Sequence, residues 1–159
     1  MAGTTGASRG LARKERQVLF VCVENACRSL MAEAMFNANP PPGWRALSAG
    51  TRPASAPNPR TLPMLREIGL EAPAHPPVAL TSEMLSVSSV RVTMGCIDDA
   101  SCPARLKELD YRDWGLPDPA KLDDVRFREV RDQLRERVEG LIRELRLTDD
   151  RTKARGPTT

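Results

Sequence analysis

Aromatic side chains are scarce in this chain, with three Phe, two Trp and one Tyr among 159 residues. Six rings are too few for the stacking platforms that hold single-stranded nucleic acid. A net charge of +3 is also too small for a polyanion footprint, though it favours small anions. No apolar stretch approaches the roughly 20 residues that span a bilayer, so no membrane partner is expected. Histidine occurs once, at His75, and cysteine four times, at Cys22, Cys27, Cys96 and Cys102. A zinc site would consume nearly all of these. The cysteine pairs are spaced x4 and x5 rather than the x2 common in structural zinc sites, and no metal site is expected. Residues 1–16 lack the apolar core of a secretory signal and read as a flexible N-terminal tail. The expected location is therefore cytoplasmic, a reducing compartment where cysteines are more often catalytic or free than bridged. Residues 149–159 read as a second tail. Between them, residues 17–148 carry no linker or repeat and read as one domain, expected to be a monomer.

Hydrophobic residues make up 40% and charged residues 28%, enough for a real core. The informative stretch is Val18-Leu19-Phe20-Val21-Cys22-Val23-Glu24-Asn25-Ala26-Cys27-Arg28-Ser29. Val18–Val23 reads as a buried strand, and beyond it Leu30, Met31, Ala34 and Met35 recur at helical spacing. Cys22 thus opens a Cys-x5-Arg-Ser loop where a strand becomes a helix. Successive backbone N–H groups in such a turn bind anions, and the helix N-terminus adds its dipole. Arg28 can fork onto two oxygens of a tetrahedral oxyanion. The same positive field favours the thiolate of Cys22, the nucleophilic form, and Ser29 can donate its hydroxyl to that sulfur. The competing reading makes Cys22 a small buried hydrophobe.

Farther along, Asn39-Pro40-Pro41-Pro42-Gly43 is a stiff turn, and Trp44–Ala49 reads as a second strand ahead of Ser48-Ala49-Gly50-Thr51. Pro53–Pro59 is a loop. Leu62, Leu65 and Ile68 suggest a helix closed by Gly69, provided Pro63 falls in its first turn. A loop holding His75 leads to a short helix over Leu80–Val87, with Ser82 as a candidate cap and Leu85 inward. Val90–Met94 and Leu109–Asp113 read as strands, the first ending at Gly95-Cys96. Trp114–Pro119 is a loop. Then Val125, Val130, Leu134, Val138, Leu141, Ile142 and Leu145 form the apolar stripe of a long helix, capped by Asp123 or Asp124. This alternation predicts an α/β fold, a four-stranded parallel sheet with helices on both faces, binding ligands at the carboxyl ends of its strands.

At the Cys-x5-Arg-Ser loop the chain resembles the low-molecular-weight tyrosine phosphatase superfamily, and more closely its thioredoxin-coupled arsenate reductase branch; the resemblance covers roughly Gln17 to Leu147. It implies the corresponding three-layer fold. It also implies an oxyanion-binding loop made of Cys22, Val23, Glu24, Asn25, Ala26, Cys27 and Arg28, with Ser29 beside it. The family braces that loop with an Asn, a Ser and a His, which match Asn25, Ser48 and His75 here; outside the resemblance His75 reads as a solvated loop residue. The family places an Asp-Pro as general acid, which here is Asp118 before Pro119; without the resemblance this is an Asp-Pro turn ahead of a helix.

The arsenate reductase branch adds two thiols, which Cys96 and Cys102-Pro103 match. In that branch the first attacks the cysteine–arsenic adduct and the second takes over the disulfide. The bland reading is two unconnected buried cysteines, although Asp98, Asp99 and Ser101 make the segment polar. Plain tyrosine phosphatases lack this pair and usually carry aromatic residues after the Asp-Pro, where this chain has Ala120 and Lys121. The chain departs from the pattern in three places. Glu24 stands where a smaller residue is usual, and is expected to point outward. Leu30 replaces a polar residue or proline, and the Cys96–Cys102 spacing is short. Some reductases of the branch bind potassium beside the loop. Asn25, Glu33 and Ser48 match that site, but Pro76 and Val78 offer no oxygen side chains, so no cofactor is expected. The resemblance implies an arsenate reductase acting through Cys22, Arg28, Asp118, Cys96 and Cys102, with arsenate or a phosphate-like oxyanion and a thioredoxin-like reductant as partners. A phosphatase hydrolysing phosphotyrosine or aryl phosphates is the alternative, and a redox-sensing or anion-binding module is a third. Cys27 is expected to be structural.

Overall fold

The computed structural model describes residues 15–95 and 109–155. Four parallel strands, β1 (Arg16–Cys22), β2 (Trp44–Gly50), β3 (Val90–Thr93) and β4 (Arg112–Asp113), form one sheet in the order β2-β1-β3-β4. Among the described residues four helices accompany them: α1 (Arg28–Ala38), α2 (Thr61–Arg66), α3 (Ser82–Val87) and α4 (Asp124–Arg155). A 3-10 turn spans Pro119–Lys121. This is the expected α/β architecture.

Side chains along β1 alternate between two buried faces, as strands of a covered parallel sheet must. Val18, Phe20 and Cys22 enter the larger core with Met31, Phe36, Phe127, Leu134 and Val138, whereas Leu19 and Val21 enter a smaller cluster with Ala49 and Leu85. Phe20 anchors the larger core, edge-on to Phe36 at 6.3 Å and tilted against Trp114 at 5.7 Å. On β2, an edge strand of the described sheet, the Asn37 amide grips Ala46 at both its N–H (2.8 Å) and its carbonyl (3.0 Å), covering ladder groups that would otherwise template another strand.

Strand order reverses beside β1. The chain leaves β1 toward β2 on one side, while β3 lies on the other, with Val21 opposite Thr93. Crevices at such switch points receive ligands in parallel sheets, and the Cys22 loop opens there.

Several local expectations are corrected. Residues 149–155 are not tail: α4 continues to Arg155, and Asp149 accepts a two-pronged bond from Arg16 (2.7 and 2.8 Å) and another from Trp44 Nε1 (3.1 Å). Arg16 itself belongs to β1 rather than to an N-terminal tail. Thr81, not Ser82, caps α3, accepting from Met84 N. Pro63 does fall in the first turn of α2. The fourth strand is only Arg112–Asp113. Val125 is 64% exposed, and Phe127 replaces it in the buried stripe of α4; Asp123 receives the Arg126 N–H at 2.9 Å as a cap. Cys96 and Cys102 lie outside the described residues.

Candidate active site

The loop between β1 and α1 is held from outside by its carbonyls. Thr51 N donates to the Cys22 carbonyl (3.1 Å), Arg52 N to Val23 (2.8 Å) and Ala54 N to Glu24 (2.9 Å). The Ala26 carbonyl accepts from Asn58 N (2.9 Å) and from Thr61 Oγ1 (2.7 Å). A peptide whose carbonyl faces outward turns its N–H the opposite way, so the loop presents N–H groups inward, the arrangement that binds anions. Asn25 N reports this directly by donating to Cys22 Sγ at 3.2 Å. Asn25 has φ of +51°, which asparagine tolerates far better than most residues. Gly50 is equally specific: a Cβ there would stand 2.6 Å from the Val23 carbonyl oxygen.

Cys22 Sγ lies 2.9 Å from Ser29 Oγ, within hydrogen-bond reach. Val78 N donates to Asn25 Oδ1 at 2.8 Å, which leaves Asn25 Nδ2 to donate to Ser29 Oγ at 2.7 Å. Ser29 therefore accepts from Asn25, and its own hydroxyl proton can go to the sulfur. The Ser29 hydroxyl and the Asn25 N–H thus both stand against Sγ. Cys27 lies in a different setting. Burial pushes its thiol up to about 12, against the pull of the Thr61 hydroxyl, so it stays protonated and inert at neutral pH.

Arg28 is 4% exposed. Its Nη1 donates to the Leu116 carbonyl at 2.9 Å and to the Met94 carbonyl at 3.5 Å, which ties together the exits from β3 and β4. Its Nε is buried without a hydrogen-bond partner, a donor left for an oxyanion. Asp118 Oδ2 stands 3.8 Å from Arg28 Nη2, while Oδ1 accepts from Ala120 N at 3.0 Å and caps the 3-10 turn. Gly95 and Gly115 make the crossing of these segments possible, since a Cβ on Gly95 would meet Gly115 Cα at 2.5 Å.

These groups enclose a cavity of about 170 Å³, lined by Cys22, Val23, Glu24, Ala26, Cys27, Arg28, Asn58, Asp118 and Ala120. Glu24 is exposed, as expected, yet it contributes to the cavity rim. The structure thus brings the loop residues, Ser29 and Asp118 together. The bracing group divides differently from the expectation. Asn25 bonds Ser29 and Val78, whereas Ser48 and His75 meet at Glu33: Ser48 Oγ donates to Oε1 at 2.6 Å and His75 Nε2 lies 2.9 Å from Oε2. Burial would lower the His75 pKa, but its bonds to the Pro76 carbonyl and Glu33 outweigh that and raise it. Glu33 is the residue that sequence reasoning left without a bracing role, because a carboxylate on α1 carries no local sign of partners on β2 and beyond. The Glu33 carboxylate is thus engaged by Ser48 and His75, and Asn25 Oδ1 by Val78 N.

A cysteine sulfur in an anion-binding turn, under a buried arginine and beside an aspartate, defines an enzyme that attacks tetrahedral oxyanions. Residues 17–151 match the model of the low molecular weight phosphotyrosine protein phosphatases, and the chain belongs to that family. It is 30% identical over 126 residues to arsenate reductase 1 of Staphylococcus epidermidis, covering 79% of this chain and 95% of that one. The thioredoxin-dependent arsenate reductase of Corynebacterium glutamicum superposes with a TM-score of 0.71 at 32% identity, over 89% of this chain and 67% of that one. The YwlE arginine phosphatase of Geobacillus stearothermophilus superposes with a TM-score of 0.73 at 23% identity, over 91% and 99% of the two chains, a likeness of fold.

Proposed function

We propose that the protein is an arsenate reductase using a thioredoxin-like dithiol, acting in the cytoplasm. The observation that carries this reading is the cavity at Cys22, whose described walls bear no aromatic ring and include Arg28, Asn58 and Ala120. Such a site suits a free tetrahedral oxyanion better than an aryl ring, which would seek apolar or aromatic walls. The arsenate reductases at 30% and 32% identity support the same choice.

The thiolate of Cys22 attacks arsenic, Asp118 protonates the departing oxygen, and water leaves. Arg28 and the loop N–H groups hold the remaining oxygens. The Cys96 thiolate then attacks Cys22 Sγ, and the sulfur–arsenic bond breaks with its electron pair passing to arsenic. Arsenic(V) becomes arsenic(III), and a Cys22–Cys96 disulfide forms. Cys102 attacks Cys96, releasing Cys22 as a thiolate, and an external dithiol reduces the Cys96–Cys102 bridge. In support, the Met94 carbonyl two positions before Cys96 reaches Arg28.

The test is arsenate-dependent oxidation of a thioredoxin system by the purified protein. Turnover that requires both arsenate and the dithiol is expected. Efficient hydrolysis of aryl phosphates with no arsenate-dependent thiol oxidation would overturn the reading in favour of a phosphatase, which uses Cys22, Arg28 and Asp118 and then water.

A further inference from the structure

Asp118 is poorly held by its own side chain. The carboxylate is 42% exposed, its contact with Arg28 is long at 3.8 Å, and its one close bond is to Ala120 N in its own turn. A proton donor must nevertheless stand within hydrogen-bond reach of one particular oxygen. The hold comes from elsewhere. Arg60 Nη1 donates to the Leu122 carbonyl at 2.7 Å and approaches Asp124 Oδ1 at 3.2 Å; its Nη2 donates to the carbonyls of Ala120 (2.9 Å) and Pro119 (3.2 Å). Its guanidinium lies over the Phe127 ring, 4.7 Å from the centroid. One side chain therefore gathers three of the four carbonyls directly after Asp118, fixed against the base of α4.

The other end of the same segment grips the oxyanion loop. Asn58 N and Thr61 Oγ1 both donate to the Ala26 carbonyl, and Asn58 Oδ1 accepts from Arg60 N at 2.9 Å. Residues 58–61 thus span the two halves of the site, with the Ala26 carbonyl at one end and the Asp118 segment at the other. We propose that Arg60 is a positioning residue, a guanidinium strut that sets the distance between the Asp118 carboxyl and the leaving oxygen of an adduct on Cys22. The inference rests on Asp118 being the proton donor. Fanning onto three carbonyls and a carboxylate needs the planar fork of arginine; a lysine ammonium cannot span them.

The test compares two phosphate esters that differ in their need for a proton. In both, Cys22 Sγ bonds to phosphorus as the phosphorus–oxygen ester bond breaks. Para-nitrophenol leaves readily as its anion, whereas phenol departs well only if protonated. The first equivalent of phenol released is measured, so the result does not depend on later hydrolysis. Arg60→Met keeps the aliphatic stem against Phe127. It should slow release from phenyl phosphate by about 10-fold or more, yet slow para-nitrophenyl phosphate by less than about 3-fold, within the usual range of general acid effects. Protection of Cys22 from alkylation by inorganic phosphate should stay within about 2-fold, because the loop is untouched. Asp118→Asn should show the same ester dependence more strongly, and adding Arg60→Met to it should cost little more, since both act on one proton transfer. Arg60→Lys should recover only part of the loss. Equal slowing of both esters by Arg60→Met, or a loss that multiplies with that of Asp118→Asn, would overturn the strut while leaving the acid in place. Asp118→Asn without effect on release from either ester would overturn the acid and the strut together.

Discussion

Asn25 Nδ2 donates to Ser29 Oγ at 2.7 Å and holds that hydroxyl 2.9 Å from Cys22 Sγ, where it can donate to a thiolate. Removing the amide frees Ser29 to rotate and also loses the backbone geometry that Asn25 holds at positive φ. Asn25→Ala should therefore slow alkylation of Cys22 at neutral pH by about 10-fold, equivalent to about 1.4 kcal/mol of lost anion stabilisation. Ser29→Ala should act in the same direction. Phosphate or arsenate should protect the wild-type sulfur. Alkylation that ignores both substitutions, and proceeds equally fast with oxyanion present, would remove the anion-loop account of Cys22.

Asp118 lines the same cavity, beside Arg28. Asp118→Asn keeps the shape and the bond from Ala120 N but supplies no acidic proton. The first chemical step should fall by roughly 10²–10⁴-fold with oxyanion affinity preserved. Stopped-flow measurement of the adduct-forming step, with phosphate protection as the affinity control, separates the two. An unchanged rate would assign the proton to another group.

The parts of this site that were legible in the sequence are those written locally. Cys22, Asn25, Arg28 and Ser29 occupy one turn, and the apolar run of β1 with the helical spacing of α1 sets its position. The sheet followed for the same reason, since buried strands and amphipathic helices carry their periods in the residues themselves. Contacts made at long range were not legible. Glu33 reaches Ser48 and His75, and Arg60 reaches residues 119–124, through the packing of distant segments. Asp149 was read as tail because Asp-Asp-Arg-Thr-Lys is polar on every side. Nothing in that composition signals Arg16 and Trp44 on the neighbouring strands.

That corrected end of α4 leads to a stability prediction. Arg16 lies 4.4 Å over the Trp44 ring and forks onto Asp149, so one cluster joins β1, β2 and α4. The Arg16 guanidinium, aided by the Trp44 N–H and opposed by partial burial, holds the Asp149 carboxyl below its ordinary range. A depressed carboxylate contributes stability above its unfolded pKa and loses it as pH falls through the folded one. Asp149→Asn should cost about 1 kcal/mol near neutral pH, or ~2–4 °C in melting temperature. The difference from wild type should shrink below about pH 4, where the unfolded Asp begins to protonate. Equal melting temperatures at pH 7 would mean that the cluster contributes nothing.

The choice between reductase and phosphatase turns on Cys96. Both activities need Cys22 and Arg28, so substitutions there cannot separate them. Only the reductase needs a second thiol that bonds to Cys22 Sγ. Strand β3 runs parallel to β1, with Thr93 opposite Val21, so the chain leaves β3 at the edge where the Cys22 loop opens. Met94 then touches Arg28, and Gly95 abuts Gly115. A disulfide requires Cα atoms within about 7 Å, so a reductase of this design needs Cys96 to approach the loop once in each turnover. Cys96→Ser should abolish arsenate turnover while keeping first-equivalent phenol release from aryl phosphates. Cys102→Ser should stop after one turnover with Cys22 and Cys96 bridged, which mass spectrometry of tryptic peptides would show. Wild-type protein that forms no Cys22–Cys96 bridge after arsenate, and hydrolyses aryl phosphates efficiently, would make this family member a phosphatase.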